Sequence, residues 1–115
     1  MKILIVDDEP IFRDLLMQVL QSDGYDDLQF AESGNQALNV ISQSQAPFDC
    51  FFLDVNMDGM NGIDLCESIR NKPSYDKTPI VMISSVTDKQ YVDAAFDAGA
   101  SDYINKPVDP MEVKA

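Results

Sequence analysis

The sequence alternates short apolar runs with longer amphipathic stretches, and this alternation limits the possible fold more than any other feature. Short apolar runs bounded by polar or turn residues are typical of buried strands. We predict strands at residues 2–6, 28–31, 48–53, 80–83 and 103–104. The first run has no polar residue after Lys2, as expected for a strand that is covered on both faces of a parallel sheet.

The stretches between the predicted strands have the apolar spacing of helices that face a core. The first helix is predicted to begin at Pro10 and to end before Gly24, because proline suits a first helical turn and glycine follows a last one. Ser33 and Asp88 are predicted to cap the second and fourth helices, and Gly99 to end the fourth. The predicted apolar faces consist of Ile11, Phe12, Leu15, Leu16, Val19 and Leu20 in the first helix, Ala37, Leu38 and Ile41 in the second, Ile63, Leu65, Cys66 and Ile69 in the third, and Val92, Ala95 and Phe96 in the fourth.

The connections between the predicted strands are too long for hairpins, which indicates an α/β fold: a doubly wound parallel sheet with helices on both faces. A chain of 115 residues, 45% of them hydrophobic, is large enough for one domain with its own core. A fifth helix is predicted to begin at Asp109, but the sequence gives it less than two turns. We therefore expect residues 1–115 to form one domain that is cut from a longer chain.

The amino-acid composition excludes several classes of function. Twenty acidic residues against 8 basic ones give a formal charge of −12, which disfavours direct binding to nucleic acid. No apolar run could cross a membrane and the N-terminus does not resemble a signal sequence, so we expect a cytoplasmic protein. Histidine is absent, which excludes catalysis or metal binding by histidine. Cys50 and Cys66 lack the spacing of a zinc site and are predicted to be reduced thiols in or near the core.

Polar residues stand at the ends of four of the predicted strands. The first strand is followed by Asp7 and Asp8, the third by Asp54, the fourth by Ser84 and Ser85, and the fifth precedes Lys106. Any one of these could be an ordinary solvent-exposed polar residue with no functional role. Ligands of open parallel sheets bind beyond the carboxyl ends of the strands, so the combination predicts a site at this rim.

The residue types at the rim point to phosphoryl chemistry. Three converging carboxylates repel one another unless a cation lies between them, and Mg²⁺ prefers oxygen ligands from carboxylates and phosphate. A lysine ammonium and a serine hydroxyl are suitable partners for a bound phosphoryl group. A carboxylate can itself accept the phosphoryl group as an acyl phosphate, and this transfer requires no histidine on the accepting protein.

Four motifs together resemble the response-regulator receiver domain of two-component signalling, and the likeness covers Met1 to Ala115. The motifs are ILIVDDEP, FFLDVNMDGMNG, TPIVMISS and GASDYINKP. The resemblance implies a flavodoxin-like five-stranded sheet in the order 2-1-3-4-5. It also implies that the protein is a signalling phosphoacceptor and not an enzyme in the usual sense.

The resemblance implies roles for individual residues. Asp54 would accept the phosphoryl group, Asp8 would bind Mg²⁺ or Mn²⁺ directly, and Asp7 would hold a water on the metal. Asn56 would offer its backbone carbonyl to the same ion. Lys106 would pair with the phosphoryl group, and its bond to Pro107 would be cis.

Two further residues are expected to form the switch. Ser84 would turn its hydroxyl toward the phosphoryl group, and Tyr103 would rotate inward as the serine moves. Alternatively, Tyr103 is an edge-strand aromatic that packs on the fourth helix. The sequence departs from the family at Asp58, where proline is frequent, and at Asn61, where aspartate is frequent.

The resemblance also implies partners. A sensor histidine kinase or a histidine phosphotransfer protein would dock near the first helix. The output would pass through the face of the fourth helix, fifth strand and fifth helix to an effector domain or protein, or to a phosphorylation-dependent homodimer. Two alternatives are a magnesium-dependent phosphohydrolase, which usually has an aspartate where Asn56 stands, and a degenerate receiver that only binds proteins.

Overall fold

The computed structural model of the chain describes residues 1–57, 59–85 and 89–106. Its strands are β1 (Lys2–Val6), β2 (Asp27–Ala31), β3 (Cys50–Asp54), β4 (Ile80–Ser84) and β5 (Asp102–Asn105). The helices in this part of the chain are α1 (Pro10–Ser22), α2 (Gly34–Gln43), α3 (Gly62–Arg70) and α4 (Lys89–Asp97), with a 3-10 turn at Pro73–Tyr75. All neighbouring strands are parallel and their order is β2-β1-β3-β4-β5, which confirms the predicted topology.

Buried side chains alternate between the two faces of the sheet, as the period of a strand requires. On one face, Leu4 and Phe51 belong to a cluster that packs against α2, α3 and α4. On the other face, Ile3 and Phe52 belong to a cluster that packs against α1. Helices therefore cover both faces, as the continuous apolar strands predicted.

β1 has the predicted bounds, whereas each of the other four strands differs from the prediction by one or two residues at one or both ends. β3 begins at Cys50 and not at residue 48, because the backbone N–H of Phe48 donates to the hydroxyl of Tyr75 at 3.2 Å. β3 also includes Asp54, because the ladder to β4 continues past it: the N–H of Val55 donates to the carbonyl of Ile83 at 3.1 Å. Asp54 is therefore held by sheet hydrogen bonds on the strand itself.

The apolar face predicted for α1 was too wide. Leu16, Val19 and Leu20 are buried, but Ile11 is 86% exposed and Leu15 is 43% exposed. Ile11 and Leu15 are four residues apart and so share a stripe that points away from the sheet. Phe96 of α4 was also wrongly placed: it is 45% exposed, because its neighbour Ala95 takes the buried position.

The predicted helix boundaries are confirmed where the structure describes them. The Ser33 hydroxyl accepts a hydrogen bond from the N–H of Gln36, which caps α2. Gly24 and Gly99 have φ of 94° and 109° and follow α1 and α4, where a residue with a side chain would be strained. The predictions for Asp58, Asp88, Pro107 and the fifth helix at residues 109–115 lie outside the described residues.

The cysteine prediction is confirmed, since Cys50 and Cys66 are both buried free thiols. Burial raises the pKa of the Cys50 thiol to about 11, which keeps it protonated and unreactive at neutral pH. Among the described residues, no helix combines the length and the apolarity that crossing a bilayer requires.

Candidate functional site

The carboxyl ends of β1 and β3 bring the predicted acidic residues together. Val6 lies opposite Leu53 in the parallel ladder, so Asp7 and Asp54 follow at neighbouring points of the same rim. One carboxylate oxygen from each of Asp7, Asp8, Glu9 and Asp54 lies within 4.8 Å of the others. The prediction for the three aspartates is confirmed in position, and Glu9 is an additional member of the cluster. The sequence analysis gave Glu9 no role, although it directly follows Asp7 and Asp8 in the run DDE.

Lys106 completes the site from the far side. Its Nζ lies 2.8 Å from Oε1 of Glu9, 3.2 Å from Oδ2 of Asp7 and 3.6 Å from Oδ1 of Asp54. The backbone N–H of Lys106 donates to the carbonyl of Ser84 at 2.9 Å, which fixes the point where the lysine leaves β5. The ammonium therefore lies among three of the four acidic side chains.

Asp54 is a buried carboxylate of the cluster and is only 3% exposed. Its Oδ1 accepts a hydrogen bond from the N–H of Asn56 at 3.3 Å, whereas its Oδ2 is buried without a hydrogen-bond partner among the described residues. Burial and the charge of Asp7 raise its pKa to about 7, against the lowering effects of Lys106 and of the Asn56 N–H, while Asp8 raises it further. Without another cation, Asp54 is therefore only partly ionised near neutral pH.

The protonation of Lys106 is set by opposing effects. Partial burial lowers the pKa of its ammonium, but the hydrogen bond to Glu9 and the charges of Asp54 and Asp7 outweigh burial. The net result is a pKa above the ordinary value for lysine. Lys106 is therefore a permanent positive charge at this site.

The two residues that were predicted to form the switch lie on the neighbouring strands β4 and β5. Ser84 is the last residue of β4, is completely buried and lies opposite Asn105 of β5. Tyr103 lies opposite Met82 in β5 and is partly buried against the core cluster that contains Ala95 of α4. This position matches the packing alternative for Tyr103, and the predicted rotation stays a prediction.

Gly62 allows α3 to begin directly against Asp54. Its N–H donates to the carbonyl of Val55 at 2.9 Å, and a Cβ atom at this position would lie 2.0 Å from the backbone oxygen of Asp54. In the sequence, Gly62 is visible only as the last residue of the motif FFLDVNMDGMNG. The structure shows that no side chain could be accommodated there without moving the strand end that carries Asp54.

Arg13 is a second residue that sequence reasoning missed. It is 7% exposed although it belongs to a helix face that is otherwise apolar. One of its guanidinium nitrogens donates to the backbone carbonyl of Asp7 at 2.9 Å. A lone arginine at a helical position that should face the core was the signal that could have identified it.

The residues of the cluster fit a small divalent cation. Carboxylate oxygens are hard ligands of the kind that Mg²⁺ and Mn²⁺ prefer. The unpartnered Oδ2 of Asp54 is a buried acceptor that a cation would satisfy. The donor set and this orphaned atom both agree with a magnesium-type site.

Comparison with known proteins identifies the family. Residues 3–115 match the family described as Response regulator receiver domain. Over 114 residues the chain is 37% identical to the DNA-binding response regulator MtrA of Mycolicibacterium smegmatis, an alignment that covers 99% of this chain and 47% of MtrA. It is 33% identical to a chemotaxis protein CheY homolog of Campylobacter jejuni, with 99% of this chain and 87% of that protein covered.

A solved structure agrees with these sequence matches. The Vibrio cholerae chemotaxis protein CheY4 superimposes with a TM-score of 0.88 at 30% identity, covering 97% of this chain and 91% of that one. The chain spans about half the length of MtrA and most of the Campylobacter protein. The chain belongs to the response-regulator receiver domains of two-component signalling.

Proposed function

We propose that this chain is a phosphoacceptor and that Asp54 receives a phosphoryl group from the phosphohistidine of a sensor histidine kinase or a histidine phosphotransfer protein. The observation that carries the proposal is the buried Oδ2 of Asp54, which has no hydrogen-bond partner among the described residues. A buried acceptor beside a lysine ammonium, at the rim where parallel sheets bind ligands, is a suitable nucleophile for phosphoryl transfer.

The transfer is a substitution at phosphorus. A lone pair of the Asp54 carboxylate forms the new oxygen–phosphorus bond while the phosphorus–nitrogen bond of the phosphohistidine breaks, and its electron pair stays on the imidazole. The charge on the phosphoryl oxygens must be neutralised as they move, and Lys106 is held 3.6 Å from Asp54 to do this. The Ser84 hydroxyl is expected to donate to the same oxygens.

A bound Mg²⁺ or Mn²⁺ would neutralise the carboxylates and the incoming phosphoryl oxygens. Asp7, Asp8, Asp54 and the backbone carbonyl of Asn56 would hold this ion. Their roles follow from the family resemblance, and the convergence of the acidic oxygens within 4.8 Å supports them. Glu9 belongs to the same cluster, but its 2.8 Å contact with Lys106 is shorter than those of Asp7 and Asp54, so we assign it to the lysine and not to the ion.

The proposed output is a shift in a surface and not a chemical product. New charge at Asp54 would draw Ser84 and Lys106 together, and Lys106 already bonds to Ser84 through the backbone. Tyr103 lies two residues before Asn105, the strand partner of Ser84. A change at Ser84 would therefore reach β5 and α4, and from there an effector or a second copy of the chain.

A docking position for the phosphodonor is supported by the exposed side of α1. Ile11 and Leu15 form an apolar stripe on the helix that begins directly after the acidic cluster. Contiguous exposed apolar patches mark protein contacts, and these two side chains would form part of such a patch. We propose that the histidine-bearing partner covers this stripe.

Labelling with a small phosphodonor tests the proposal. Incubation with acetyl phosphate and Mg²⁺ should add one phosphoryl group to the wild-type protein, as measured by intact-protein mass spectrometry. Asp54→Asn should show no addition, whereas Asp23→Asn, which changes an exposed aspartate just after α1, should behave like the wild type. Equal labelling of Asp54→Asn and Asp23→Asn would refute the assignment of Asp54.

A further inference from the structure

Arg13 occupies a position that the proposed phosphoryl chemistry does not explain. Its side chain is on α1 and points into the packed side of the helix, where its neighbours Leu16 and Leu20 are buried. Burying a guanidinium is costly unless its donors find acceptors. The contacts of the Arg13 guanidinium should therefore indicate the role of this residue.

The guanidinium of Arg13 connects α1 to two other parts of the chain. Nη1 donates to the backbone carbonyl of Asp7 at 2.9 Å in a buried hydrogen bond. Nη2 lies 3.7 Å from Oε1 of Glu32, and the central carbon lies 4.4 Å from the ring centroid of Phe30. Phe30 is on β2 and Glu32 follows its last residue, so Arg13 joins the end of β2 to the loop that carries the acidic pair.

Asp7 is held at three points, and Arg13 supplies one of them. The backbone N–H of Asp7 donates to the carbonyl of Ala31 at 3.1 Å, and its Oδ1 accepts from the N–H of Glu9 at 2.9 Å. With the carbonyl fixed by Arg13, the peptide groups on both sides of the Asp7 side chain have defined directions. The remaining oxygen, Oδ2, then faces Lys106 at 3.2 Å.

We propose that Arg13 is a positioning residue for the cation site, because it fixes the backbone of Asp7 and thereby directs the Asp7 carboxylate toward Asp54 and Lys106. This inference rests on the proposed function, since it assumes that the acidic cluster binds a divalent cation. Arg13 does not contact the ion or the phosphoryl group in this assignment. It acts through Asp7 alone.

The chemistry of the side chain explains why this position holds arginine. The planar guanidinium can donate to a carbonyl in its plane while its face stacks on the Phe30 ring, and a lysine ammonium cannot reproduce both contacts. Removing the guanidinium would leave the Asp7 carbonyl buried without this donor. The backbone at Asp7 could then change its conformation, and the acidic side chains would be less preorganised for binding the ion.

Binding of Mn²⁺ alone tests this assignment without any phosphoryl transfer. The fall in the electron paramagnetic resonance signal of free Mn²⁺ gives the dissociation constant. Residues that orient metal ligands typically change metal affinity by 10- to 100-fold, so we expect Arg13→Met to bind about tenfold more weakly than the wild type. Arg13→Lys, which can still donate to the Asp7 carbonyl but is not planar, should lie between the two.

Arg70 provides a matched control. It also donates to backbone carbonyls, at 2.8 Å to Gly99 and 2.8 Å to Tyr75, but these residues precede β5 and β4 and so lie at the opposite end of the sheet. Arg70→Met should lower the unfolding temperature without weakening Mn²⁺ binding. Circular dichroism of each variant at the temperature of the titration verifies that the protein being titrated is folded.

The outcomes distinguish this inference from the proposed function. If the wild-type protein does not bind Mn²⁺, both the cation site and the role of Arg13 are wrong. If the wild type binds and Arg13→Met binds within about twofold of it, only the role of Arg13 is wrong. The role of Arg13 is also wrong if Arg70→Met weakens binding as much as Arg13→Met, because the effect would then report general destabilisation.

Discussion

The ammonium of Lys106 lies 3.6 Å from the carboxylate of Asp54, although the two residues stand at the ends of strands that are separated by β4. The lysine side chain must therefore reach across the end of β4, above the completely buried Ser84. This arrangement joins three neighbouring strands at one point. A change in charge at Asp54 would consequently act on both β4 and β5.

The raised pKa of Asp54 predicts a pH-dependent cost to folding in the metal-free protein. An unfolded aspartate ionises near its ordinary value of 3.8, whereas burial and Asp7 hold the folded carboxyl at a pKa of about 7. The contribution of this carboxyl to stability should therefore be greatest below the unfolded pKa and should be lost as the pH rises through the folded pKa. Replacing the carboxyl with an amide should remove that loss.

We accordingly expect Asp54→Asn to raise the free energy of unfolding by roughly 2–4 kcal/mol near pH 8, and by little near pH 4. Urea denaturation in EDTA at the two pH values measures the difference. The exposed change Asp23→Asn is the control for the loss of a surface carboxylate. A constant difference between Asp54→Asn and wild type at both pH values would show that Asp54 is ionised normally.

Replacing Lys106 should separate phosphorylation from its consequence. Lys106→Ala keeps the nucleophile but loses the charge that links Asp54 to β5, so we expect labelling at Asp54 to continue and the response of the α4–β5 face to shrink. Amide chemical shifts of Tyr103 and Ala95, with and without beryllofluoride, measure this response. Lys77→Ala, an exposed lysine outside the site, is the control. A full response in Lys106→Ala would contradict the role of the lysine.

Two glycines at the first residue of a helix provide a paired test of close packing at the site. The Cβ of Gly62→Ala would meet the backbone oxygen of Asp54 at 2.0 Å, whereas that of Gly34→Ala would meet the flexible Met60 sulfur at 2.8 Å. A strand backbone cannot move as easily as a thioether. We expect Gly62→Ala to lose about 2–4 kcal/mol of stability and Gly34→Ala less than about 1 kcal/mol, measured by urea denaturation. Equal losses of stability in the two variants would mean that the backbone at Asp54 can move at little energetic cost.

Much of the site could be predicted because the topology determines where parallel strands end. Once the alternation of strands and helices was identified, Asp7, Asp54 and Lys106 had to reach the same rim. The cap at Ser33 and the helix ends before Gly24 and Gly99 also followed from local chemistry. These predictions depend only on order along the chain and on the preferences of single residues.

The missed features depend on contacts between distant segments. Arg13 was missed because a buried guanidinium is explained only by the carbonyl of Asp7 and the ring of Phe30. The predicted apolar face of α1 was too wide because an apolar pattern in the sequence does not show whether Ile11 packs against the sheet or contacts a partner protein. The predicted start of β3 was too early because the N–H of Phe48 donates to the hydroxyl of Tyr75. Tyr75 lies in a 3-10 turn that was not predicted.

The most direct test of the account is to locate the phosphoryl group chemically. An acyl phosphate is reduced by borohydride to an alcohol, so phosphorylated protein treated in this way and digested should contain homoserine at position 54. Tandem mass spectrometry should find this residue after incubation with acetyl phosphate in Mg²⁺, and should not find it when EDTA replaces Mg²⁺. Homoserine at another aspartate, or equal amounts with EDTA, would contradict the claim that Asp54 is a cation-dependent phosphoacceptor.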